Sequence, residues 1–60
     1  MNNKTIKDAV LGDREALIKV SSHLHEIIQA CTKHSTKEVA VGLAVIEANR
    51  ISLIALSLVS

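Results

Sequence analysis

The sequence predicts an all-α protein: an antiparallel helical hairpin with a short N-terminal helix, assembling into a symmetric homo-oligomeric bundle. Three observations carry that prediction. The chain has no proline and only two glycines, so little interrupts a helix. Apolar residues recur at helical spacing from Leu17 to Cys31. "STKE" at Ser35–Glu38 then opens a run that is apolar on nearly every side, "KEVAVGLAVIEANRISLIALSLV".

The whole of residues 1–60 reads as one domain. After a loose start at Met1–Lys4, residues 5–11 are expected to form a short helix. Gly12 ends it, because glycine adopts the left-handed conformation common just past helix ends. Asp13 is the expected N-cap of a second helix over residues 14–32, with Glu15 in its positive first turn. Leu17, Val20, Leu24, Ile27 and Cys31 form its heptad seam, while Arg14, Lys19, His23, His25 and Glu26 lie off it. Lys33–His34–Ser35 is the expected break. In the capping box the Ser35 hydroxyl accepts the Glu38 amide and the Glu38 carboxylate reaches back, so a third helix spans 36–59. Its many β-branched residues favour strand, but its length, its cap and the lack of turn residues favour helix.

The third helix could be a membrane span or a core shared between copies. Its length suffices for a bilayer, yet Glu47 and Arg50 would sit at mid-membrane, each costing about 2.5–3.5 kcal/mol. Aromatic residues, which anchor spans at the interface, are absent. A shared core explains more. A helix apolar all round is normally buried on several sides, and one hairpin partner covers only one of them. Val39, Leu43, Ile46 and Leu53 form one stripe; Val41, Val45, Ile51, Ile54 and Leu58 form others. Ala40, Gly42, Ala44 and Ala48 permit close helix approach. A core of this size supplies only about 3–5 kcal/mol, so small chains add a disulfide, a metal or a partner. The single cysteine rules out an internal disulfide and no Cys/His set has zinc-finger spacing, which leaves self-association.

A formal net charge of +1 argues against binding polymeric nucleic acid, and with it against a bundle that recognises RNA. The start "MNNKTIKDAV" lacks the apolar stretch of a signal peptide, and the lone thiol suits a reducing compartment, so a cytoplasmic location is expected. His23 and His25 are about 200° apart around a helix and cannot share a metal. Cys31 on the seam reads as a small apolar group. No catalytic triad, phosphate-binding glycine loop or carboxylate pair is present, and no enzyme activity or cofactor is expected.

Two sets of residues are candidates for anion binding. In the first, Asn49 and Arg50 line a pocket between subunits, since a guanidinium fork suits phosphate. The competing reading makes Glu47 and Arg50 a structural ion pair that fixes register. In the second, Lys33, Ser35, Thr36 and Lys37, with His34 beside them, surround the positive end of the last helix. There the competing reading is a solvated connection. Lys19 is a weaker candidate on the second helix.

The run "KEVAVGLAVIEANRI" resembles the C-terminal helix of small phage-encoded nucleotide sponges, the anti-CBASS helical-hairpin family. The resemblance rests on Lys37, Glu38, Val39 to Leu43, Ile46, Glu47 and Arg50, and covers about a third of the chain. It implies a compact helical protein forming a symmetric oligomer, often a hexamer, that sequesters cyclic di- or trinucleotide immune signals between protomers without catalysis. It assigns Lys37 and Arg50 to the ligand and Glu47 to the structure. The apolar stripes themselves place Val39, Leu43, Ile46, Leu53 and Ile54, with Glu47 among them, at the oligomer interface. The chain has no aromatic side chain of the kind that family sets against a base, so phosphate contacts are the expected mode. The alternative reading is a small helical interaction module or regulator acting on a host protein.

Overall fold

The computed structural model describes all 60 residues: three helices and no strand. Helix α1 spans Asn3–Val10, α2 Arg14–Thr32 and α3 Lys37–Val59, and each packs against the other two.

The first helix begins earlier than the sequence suggested. Asn2 is extended and its side chain accepts the Thr5 amide at 2.8 Å, so the expected loose start is an ordered N-cap. The helix accordingly runs over 3–10 rather than 5–11. Gly12 has a φ of +95°, the left-handed turn expected of it, and Asp13 caps α2 by accepting the Ala16 amide at 3.0 Å.

The expected capping box does not form. The cap of α3 is Thr36, one residue later than Ser35, with its hydroxyl accepting the Val39 amide at 3.3 Å. The glutamate therefore falls one position short of where a box would need it. Glu38 remains in the first turn, where its charge still favours the helix N-terminus. Helix α3 starts at Lys37, and the connection is four residues long, 33–36, instead of three.

Seven residues are buried, and five of them are alanines: Ala9, Ala16, Ala40, Ala44 and Ala55. The other two, Ile6 and Ile51, form with Ala55 a compact cluster onto which Val20, Leu24, Ile54 and Leu58 pack. Ile6 is 2% exposed, so α1 plugs the space between the first part of α2 and the last part of α3. At its start the inner face of α2 passes through Ala16, and Leu17, expected on the seam, is left 47% exposed. The reason is rotational. A straight helix drifts about 20° per heptad from a 3.5-residue repeat, and a small residue at position 16 suits the crossing of α1.

Thirteen large apolar side chains remain exposed, eight of them on α3. The accessible surface is 4370 Å² for 6.5 kDa, where a folded monomer of that mass is expected to expose about 3,800 Å². Helix α3 is also the one helix long and apolar enough to cross a membrane.

Candidate functional site

The most organised polar feature lies where α2 and α3 meet near mid-length. Glu47 points from α3 toward α2 and keeps only a fifth of its side-chain surface in water. One turn along α3, Arg50 donates from Nε to one carboxylate oxygen at 2.5 Å and from an outer nitrogen to the other at 2.9 Å. From α2, His23 Nε2 lies 2.7 Å from the second oxygen. The carboxylate is thus held by two donors of a single arginine on its own helix and by one histidine on the neighbouring helix. The Glu47–Arg50 pair is the one the sequence spacing suggested. His23 is different: expected off the seam, it is half-buried and joins the helices. Its position one residue before Leu24, 24 residues before Glu47, carries no local signal in the sequence.

The electrostatics follow from this geometry. Hydrogen bonding to the Arg50 guanidinium, and next to that from His23, holds the Glu47 carboxyl down at about 2 against an ordinary 4.5. Partial desolvation opposes this and is outweighed. Arg50 is raised in turn by its hydrogen bonds to Glu47. Its guanidinium is 54% exposed, and only two of its N–H groups face Glu47. Of the five such donors on an arginine, the rest are free to meet an incoming anion.

Asn49, adjacent in sequence, is about 100° further round the helix. It is exposed and faces away from the cluster. Lys33, Ser35, Thr36 and Lys37 gather at the α2–α3 connection and are all exposed, with the Thr36 hydroxyl engaged as a cap. Lys37 and Arg50 are separated by roughly 20 Å along α3, so one protomer does not bring the two candidate clusters together. Lys19 borders a shallow depression shared with Lys4, Asp8, Asp13 and Glu15, where acidic groups outnumber basic ones. That surround is unfavourable for an anion. No three of the His, Cys, Asp and Glu side chains converge on a point where a metal could bind.

Of the residues expected between subunits, Val39, Leu43, Ile46 and Leu53 are exposed, the last two at 65% and 68%. Ile54 is half-buried against the core of its own chain, and Ile51 belongs to that core outright. Comparison with known protein families, with curated proteins and with solved structures found no match to this chain.

Proposed function

We propose that this chain is a non-enzymatic antiparallel helical hairpin that assembles into a symmetric homo-oligomer, dimer to hexamer, and sequesters a cyclic di- or trinucleotide between subunits. It acts as a phage-type sponge in the cytoplasm of a host cell, evading an immune response that signals through such nucleotides. The observation that supports it best is the juxtaposition on α3 of an uncovered apolar flank and a half-exposed guanidinium at its border. Copies packing through that flank gather several Arg50 side chains around one site. Glu47 fixes each guanidinium in orientation while leaving donors for a phosphate. Lys37 of a neighbouring copy supplies a second cation. The resemblance of Lys37–Ile51 to the sponge helix points the same way.

The test is a thermal-unfolding series with a panel of cyclic di- and trinucleotides. A ligand at one hundred times its Kd adds about 2.7 kcal/mol to stability, which for a chain this short raises Tm by about 10 °C or more. Arg50→Ala removes that rise and leaves the sedimentation of the free protein unchanged. No rise with any member of the panel defeats the ligand reading.

A second reading is favoured by the offset of the Arg50 charge by Glu47, which leaves the flank mainly apolar. On that reading the chain is an interaction module or regulator that docks on a host protein. A stoichiometric protein partner, captured where no nucleotide binds, supports this alternative.

A further inference from the structure

On the outward side of α3, the exposed residues are spaced symmetrically about Asn49. Val45 and Leu53 lie four residues before and after it, and Gly42 and Leu56 lie seven before and after. At 3.6 residues per turn all four fall within about 40° of Asn49, giving one narrow stripe. Val45, Leu53 and Leu56 are 54%, 68% and 61% exposed, and Gly42 and Asn49 are exposed as well. Helix Lys37–Val59 is itself centred next to this point.

Gly42 has no explanation inside the protomer. It sits within a helix, where glycine is unfavourable, and a methyl group built on it meets nothing within 4 Å. A close approach from outside the chain gives it a purpose. Asn49 is the one polar side chain among Val45, Leu53 and Leu56 on this stripe, exposed and with no hydrogen-bond partner in its own chain. An amide carries both a donor and an acceptor, so it can pair reciprocally with a copy of itself across a two-fold axis. A single such asparagine in an apolar helix contact sets register at some cost in stability.

We infer that α3 packs antiparallel on α3 of a second copy, about a two-fold axis through Asn49. The two Asn49 amides then pair on the axis. Val45 of each copy meets Leu53 of the other, and Leu56 of each fills the space left by Gly42 of the other. The accessible surface in excess of a folded monomer, roughly 500 Å², is of the order each partner buries in a small specific interface. This inference rests on the self-association in the proposed function and is independent of the nucleotide. It assigns Asn49 to the subunit contact and leaves Arg50 at the edge, open to a ligand.

Disulfide trapping tests it in a Cys31→Ala background, where the only thiols are those introduced. Bridging requires Cα atoms within about 7 Å. Asn49→Cys lies on the axis and is expected to yield roughly tenfold more covalent dimer than Leu53→Cys. An equimolar mixture of Val45→Cys and Leu53→Cys chains is expected to form the mixed dimer. Both positions are exposed in the protomer, and unchanged helical circular dichroism confirms that the variants fold. If Leu53→Cys self-links as well as Asn49→Cys, the helices are parallel and the inference is wrong. If sedimentation shows an oligomer but Asn49→Cys does not link, the seam lies elsewhere, while self-association stands. A monomer at sub-millimolar concentration removes both.

Discussion

Replacing Gly42 by alanine should change stability in opposite directions in the free protomer and in the assembly. In the protomer the added methyl contacts nothing, so its effect is that of helix propensity, a gain of about 0.8–1 kcal/mol. For a chain of this size that raises Tm by about 4–8 °C. In the antiparallel pair the same methyl faces Leu56 of the other copy, where an extra carbon in a packed contact costs about 1–3 kcal/mol. The contact is isologous and occurs twice, so dimerisation should weaken about thirtyfold or more. The assay is thermal unfolding by circular dichroism at low-micromolar and at sub-millimolar concentration, with sedimentation equilibrium on the same samples. The variant should melt above the parent when dilute and lose that advantage when concentrated. If it melts higher by the same amount at both concentrations, and its association constant matches the parent's, Gly42 is not at a helix contact and the reasoning fails.

Three further outcomes follow from the protomer alone. Ile6→Ala removes the most deeply buried large side chain and should cost about 2–5 kcal/mol, enough to unfold the dilute chain in urea titrations. Gly12→Ala forces a residue with a Cβ to a φ of +95° with no compensating contact; the loss should be about 1–2 kcal/mol, read as a lower urea midpoint at unchanged m-value. The pKa of Glu47 is lower folded than unfolded, so its contribution is full above about 4.5 and is lost as pH falls toward about 2. Tm should therefore fall across that window, and more shallowly in Glu47→Gln; equal slopes for the two proteins would contradict the role given to this carboxylate.

The local signals in the sequence located the helices well. Asp13, Gly12 and the apolar spacing of 14–32 each act within one turn of chain, and α2 has the bounds they imply. Where two local solutions compete, sequence decides less. Ser35 and Thr36 are both good caps, and the chain uses the second, which leaves the connection between helices one residue longer. Asn2 caps α1 by the same chemistry, at a place where a short polar start gave no apolar period to mark a helix. Of the candidate site, the Glu47–Arg50 pair was legible because three residues on a helix are neighbours by construction. The His23 contact was not, since it depends on how α2 and α3 slide and rotate against each other. The buried residues are five alanines, Ile6 and Ile51, and neither partner of the hydrogen bond is among them.

The alanines have a mechanical consequence. Helices that meet through methyl groups lie toward the short end of the usual separation of about 8–10 Å, and across such a gap His23 and Glu47 meet directly at 2.7 Å. The imidazole of His23 therefore works as a ruler for the gap between α2 and α3. Widening Ala44 to valine, one turn from Glu47, would prise the axes apart and stretch that bridge before the helices themselves unwind. The nitrogen-15 resonance of Nε2 would register the change, so a single side-chain signal gauges whether the interior has kept its clearance.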